Sequence, residues 1–183
     1  MINEVDYDQA GTDGAEFIEI YNGTGAPVDL AGHALVLVNG SSSSLSAYET
    51  FDLSPAGALA AGQYLVVGST AVAVPEGALK IDFEGTQTDR VQNGAPDGIA
   101  LMNTATGGVI DALSYEGAIT AATIEGASVS LVEGEALAAT VADSNLATAP
   151  GSLCRLPDGT DTNQAAADWA FSATITPGSA NVP

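Results

Sequence analysis

INEVDYDQAGTDGAEFIEIYN, Ile2 to Asn22, decides the fold, because its second half alternates as a strand must. In EFIEIYN, Phe17, Glu19 and Tyr21 fall on one face and Glu16, Ile18 and Ile20 on the other, and one of these faces belongs to a core. The first half, INEVDYD, is a second such run, and DQAGTDG between them carries the glycines and Asx residues of a hairpin loop. The stretch therefore reads as an opening hairpin, with one strand ending near Tyr7 and the next beginning near Glu16.

The same reading extends along the chain. ALVLVN (Ala34–Asn39), TFDL (Thr50–Leu53), QYLVVG (Gln63–Gly68), ALKIDF (Ala78–Phe83), GIALMN (Gly98–Asn103), VIDALSY (Val109–Tyr115), ASVSLV (Ala127–Val132), SLCRL (Ser152–Leu156) and WAFS (Trp169–Ser172) are strand-like. NGTGAP, NGSSSS, SPAG, VPEG, NGAPDG, TATGG, VEGE and LPDG separate them with turn chemistry. Short strands at this density predict an all-β sandwich or barrel of mostly antiparallel strands. Gly57–Gln63 is too short for an isolated helix and reads as a loop. In Glu133–Asn145, Thr140, Val141 and a flanking glycine argue for an irregular connection. NGSSSSLS has the composition of a flexible, exposed loop.

With 183 residues, 46% hydrophobic and 5% aromatic, the chain suits one domain, residues 1–183, whose core draws heavily on Ala and Val. Lys80, Arg90 and Arg155 stand against 23 carboxylates, a net charge of -20. Such a surface repels phosphate, which argues against direct nucleic-acid binding and against attraction to anionic membranes. It favours solubility, divalent cations and basic partners, and acidity also suits saline surroundings. The single cysteine, Cys154, cannot close an intramolecular disulfide, and no Cys/His cluster offers a structural zinc site. Neither a signal-like apolar region nor a spanning helix is recognisable. The expected location is therefore the cytoplasm, or the exterior if this is a mature exported domain given a start Met.

Two acidic loops invite comparison with cation sites. Asp6, Asp8 and Gly11 fit a calcium loop, but Ala10 occupies a ligand position and Phe17 the closing one, with Glu16 one residue early. Calcium accepts six to eight oxygens flexibly, so Asp6, Asp8, Asp13 and Glu16 form the first candidate metal set. Asp158, Asp161, Asn163 and Asp168 in LPDGTDTNQAAADW form the second, though Asx turns account for PDG and DTN without a metal.

Catalytic constellations are thin. His33 is the only histidine, and GASVS (Gly126–Ser130) lacks the closing glycine of a serine elbow. Cys154 reads as a small buried residue, because only Arg155 lies nearby to lower its pKa. Paired carboxylates are plentiful, yet sugar-binding aromatics are scarce. The glycine-rich loop and lysine of a nucleotide site are missing. Asn22-Gly-Thr24 and Asn39-Gly-Ser41 match the glycosylation sequon but also the Asn-Gly turn.

Taken in order, INEVDYD, EFIEIYN, PVDLAGHALVLVNG, AAGQYLVVGS, NGAPDGIALMN and SLCRLPDGTDTN…ADWAF…TPGSAN resemble a bacterial lamin-tail domain. The resemblance implies an immunoglobulin-like β-sandwich ending at Thr176-Pro177-Gly178 and Asn181. It also implies a noncatalytic module of exported or surface proteins that mediates protein contacts or surface attachment, with no catalytic residue and no required cofactor. Where the family usually places an aromatic, typically Trp, this chain has His33, expected to pack in its stead within a looser local core. The alternatives are a calcium-dependent adhesion or stability module and a carboxylate-dependent hydrolase. The latter requires a cleft with two facing acids, one of raised pKa.

Overall fold

The computed structural model describes residues 1–41, 43, 45–143 and 150–183. In chain order the strands are β1 (Ile2–Asp6), β2 (Phe17–Tyr21), β3 (Val28–Asp29), β4 (His33–Asn39), β5 (Ala47–Asp52), β6 (Ala58–Leu59) and β7 (Tyr64–Gly68). They continue with β8 (Leu79–Asp82), β9 (Asp97–Asn103), β10 (Gly108–Tyr115), β11 (Ala122–Ile124), β12 (Ala127–Val129), β13 (Ser152–Arg155) and β14 (Trp169–Ser172). A six-stranded sheet runs β14-β13-β1-β2-β7-β8 and a four-stranded sheet runs β10-β9-β4-β5. Every pairing is antiparallel except β7 with β8. The protein is an immunoglobulin-like all-β sandwich.

The core lies between the two sheets. Leu153, Val5, Ile18 and Val67 form one inward row across the six-stranded sheet, where they are register partners. They pack in one cluster with Leu35, Leu37, Ile99, Leu101 and Leu113 of the facing sheet. Leu35 and Leu37 are wholly buried, as are Val5, Ile18 and Val67. Fully burying one such side chain stabilises the fold by about 1.5–3 kcal/mol.

The outer faces are covered as well. The β11–β12 hairpin and its flanks set Ile119, Ala122, Ile124 and Leu131 against Val36, Val38, Ala100, Met102 and Ala112 of the four-stranded sheet. This explains the apolar ALVLV run, since a strand buried on both faces has no solvent side to alternate toward. The same holds for β2, with a consequence for its alternation. Ile18 and Ile20 join the main core, Phe17 packs with Val66 and Val72 on the other side, and Glu19 is also fully buried. The expectation that one face of EFIEIYN is core is met by both faces.

Elements too short to carry a periodic pattern complete the frame. β3 pairs with β6. A 3₁₀ turn occupies Ser54–Ala56, and one helical turn, Ala165–Asp168, lies inside the second acidic loop just before β14. Glu133 to Asp143 contains neither strand nor helix, as its sequence predicts, and Asn145 lies outside the described residues. In NGSSSSLS, Ser41 and Ser43 are exposed turn residues, while Ser42 and Ser44 lie outside the described residues.

Candidate functional site

The opening acids divide among different partners. Asp6 accepts from the Gln9 amide nitrogen, and burial raises its carboxyl, with the nearby Glu4 and Glu16 adding to the effect. Asp8 and Asp13 both take the Asn93 side-chain amide, at 3.3 and 3.4 Å, and Asp13 also receives the Gln9 N–H at 2.8 Å. Glu16 turns instead to the backbone N–H groups of Arg90 and Val91, at 2.7 and 3.1 Å. Burial pushes its carboxyl up to about 7 against those two bonds. The structure thus brings Asp8 and Asp13 to Asn93 and links Asp13 to Asp6 through Gln9, while Glu16 binds the Arg90 and Val91 backbone. Among the described residues, no three or more His, Cys, Asp or Glu side chains are grouped to hold a metal ion.

The second acidic loop gathers around a cation that the chain itself supplies. Arg155, on β13, is fully buried. Its Nη1 donates to Asp168 at 3.2 Å, Asp161 at 3.4 Å and the Thr160 carbonyl at 3.2 Å. Its Nη2 donates to Asp111 at 2.9 Å and Glu133 at 3.5 Å, and Nε to the Ile2 carbonyl at 2.8 Å. The guanidinium also lies 5.0 Å from the Trp169 ring centroid, a cation–π contact. Asp111 belongs to the four-stranded sheet and accepts the Ile2 N–H at 2.6 Å, so the arginine ties both sheets to the loop. Burial works to raise the Asp168 carboxyl, but the hydroxyl and N–H of Thr162, the Gln164 N–H and Arg155 together hold it below the usual range. Asp158 and Asn163 take other places. Asp158 accepts from Asn3, the Tyr64 hydroxyl and the Asn181 N–H, whereas the Asn163 backbone N–H donates to Asp161 in an Asx turn.

A third acidic pair was not evident as a unit in the sequence. Glu4 and Glu19 are register partners on β1 and β2, both fully buried, beneath the C-terminal segment after β14. Thr176 gives Glu4 its N–H and hydroxyl at 2.9 Å each, and Ser152 adds its hydroxyl at 2.6 Å. Glu19 receives the Gly178 N–H at 2.6 Å and the Asn3 amide at 2.8 Å. Asn181 then locks the segment by donating to the Asn3 and Arg155 carbonyls. Burial pushes Glu19 up to about 8, with Glu4 and Asp158 also opposing its ionisation, and burial with Asp158 raises Glu4. The alternation in EFIEIYN placed Glu19 correctly on its face, but only the strand pairing shows that Glu4 lies opposite.

His33 and Cys154 sit much as their sequence contexts suggest. His33 opens β4 and lines an open pocket of about 260 Å³ with Ile20, Leu30, Leu59 and Leu101. Its Nδ1 is buried with no hydrogen-bond partner among the described residues. Cys154 is buried beside Glu4, and burial pushes its thiol up to about 12. A thiol that high stays protonated and unreactive at neutral pH.

The fold and these sites define a class before a family: an acidic β-sandwich whose buried carboxylates serve as anchors for loops and for its own C-terminal segment. Residues 1–117 match the family model Lamin Tail Domain, and the chain belongs to that family. No curated protein matches it. The match ends at Gly117, yet from beyond it β13 pairs with β1 and β14 with β13 in the same sheet.

Proposed function

We propose that this chain is a noncatalytic binding module that attaches an exported or surface protein to a protein partner or surface. The observation that carries this reading is the use of its acids. The sequence offered them as chemistry, and Glu4, Glu16, Glu19, Asp111 and Asp168 each accept hydrogen bonds from the fold itself. One pair of facing acids with raised pKa, Glu4 and Glu19, lies closed beneath the C-terminal segment rather than in a cleft. Membership in the lamin tail domain family supports a module without turnover. The pairing of β13 with β1, extended by β14 on β13, supports one domain over residues 1–183. No helix among the described residues is long and apolar enough to cross a membrane.

Photo-crosslinking from exposed positions such as Ile110 and Ile175, in the host cell, tests the reading. One discrete protein adduct in the envelope or extracellular fraction is expected. Turnover of a glycoside or ester substrate that is lost in Glu19→Gln would contradict it.

A second reading, calcium-dependent adhesion or stability, rests on the meeting of Asp8 and Asp13 at Asn93. Calcium at 100 times its dissociation constant would add about 2.7 kcal/mol to the folded state. An unchanged melting temperature in millimolar calcium would remove this reading.

A further inference from the structure

On one side of the sandwich the edge strands of the two sheets, β5 and β8, border a groove of about 270 Å³. Four consecutive β5 residues, Glu49 to Asp52, line it, so the groove follows the strand. Phe51, Ile81 and Pro55 supply an apolar lining, and Asp52, Asp82 and Glu84 stand exposed around it. The Ser54 hydroxyl and N–H hold the Asp52 carboxyl below its ordinary range, and Asp82 pairs with Lys80 at 2.7 Å.

One end of this groove already displays what it recognises. The Arg90 guanidinium lies 5.5 Å from the ring centroids of both Phe51 and Phe83. It bonds the Glu49 carboxylate and the carbonyls of Glu84 and Thr86. A guanidinium on an aromatic face with a carboxylate at its side is a favourable arrangement for a weakly hydrated cation. Beyond Arg90 the groove offers apolar surface at Ile81 and Pro55 and the exposed carboxylates of Asp52 and Glu84 to a cation from outside. The chain has only three cations, and Arg155 is buried elsewhere, so its own side chains cannot supply more than Lys80 and Arg90 here.

We propose that this groove docks an extended basic segment of a partner protein, laying one Arg or Lys stem over Ile81 and Pro55 with its charged head between Asp52 and Glu84. The inference rests on the binding-module reading and specifies the partner's chemistry. Apolar stems of basic side chains cover such surfaces while their heads keep to the polar rim, and a net charge of -20 steers basic partners inward.

The probe is a fluorescein-labelled octapeptide of alternating Arg and Thr, titrated by anisotropy at 150 mM salt against three forms of the full chain. They are wild type, the groove variant Asp52→Asn/Asp82→Asn/Glu84→Gln, and a remote variant of equal charge, Asp29→Asn/Glu125→Gln/Glu135→Gln. All six positions are exposed, so each variant keeps the core intact. A tenfold or greater loss in the groove variant with less than twofold loss in the remote one is expected. Equal losses would mean a diffuse field, and no binding by wild type would mean no docking site; either overturns the proposal. Competition by spermine as effective as by unlabelled peptide would also overturn it, since the groove would then bind any polyamine. A crosslinked partner that persists in the groove variant would place docking elsewhere while leaving the binding-module reading intact.

Discussion

Arg155 and the Glu4–Glu19 pair occupy the same sheet and solve the same problem in opposite ways. Around Arg155, the buried Asp111 and Asp168 carboxylates pair with a guanidinium, and Asp168 is held below its ordinary range. Around Glu4 and Glu19 no cation is among the donors, and neutral groups of the C-terminal segment supply the hydrogen bonds while burial favours the protonated form. Charge at the first site is part of the fold's cohesion, and charge at the second works against it. The difference sets opposite responses to mutation and to pH.

Removing the cation should do most damage. Arg155→Met leaves Asp111 and Asp168 buried without their counter-charge, and breaking a buried pair in this way costs about 3–5 kcal/mol. Urea unfolding should show that loss as a lower midpoint, and a midpoint within error of wild type would break the contrast. Arg155→Lys should recover only part, because one ammonium cannot reach acceptors spread over Ile2, Asp111, Thr160 and Asp168.

Loosening the C-terminal segment should come next. Gly178 has φ +81°, and a Cβ there would sit 2.8 Å from both Ala78 Cβ and Pro75 Cδ. A non-glycine residue in that region costs about 1–3 kcal/mol. Gly178→Ala should therefore lift the segment from Glu19 and speed labelling of Cys154 by a thiol reagent under native conditions. Unchanged labelling would show that the segment does not shield this face.

The parts legible in the sequence were those with a local cause. Alternation and turn residues were enough to locate the longer strands, because each needs only its own pattern and its bounding Gly, Asn or Pro. The double burial of β2 and β4 was not local, since the covers come from Ile119–Leu131 and from residues near the C-terminus. The acids of both loops were visible, but their roles depended on partners distant in sequence. Asp168 is 13 residues from Arg155, while Asp111 is 44 away. One signal was available: Arg155 is one of three cations and sits inside the apolar run SLCRL, where a charge requires partners. β3 and β6, at two residues each, are too short to show any period.

The most direct measurement of the contrast is the melting temperature of wild type and Glu19→Gln from pH 5.5 to 8.5 in 0.5 M salt. Exposed carboxylates are already ionised throughout that window, and salt screens their repulsion. For Glu19 the folded pKa, about 8, lies above the ordinary 4.5, so the folded state holds the extra proton. Its stabilising contribution is full below pH 4.5 and is lost as pH rises through 8. Asp6, Glu16, Asp97 and, beside Arg155, Glu133, each raised to about 7 chiefly by burial, add to the same fall. Asp168 has a lowered pKa and so loses its contribution only under strong acid, below its ordinary 3.8. Wild type should therefore melt several degrees or more lower at pH 8.5 than at 5.5. The fall should be smaller in Glu19→Gln, and a wild-type melting temperature that is flat or rises across the window would contradict the account.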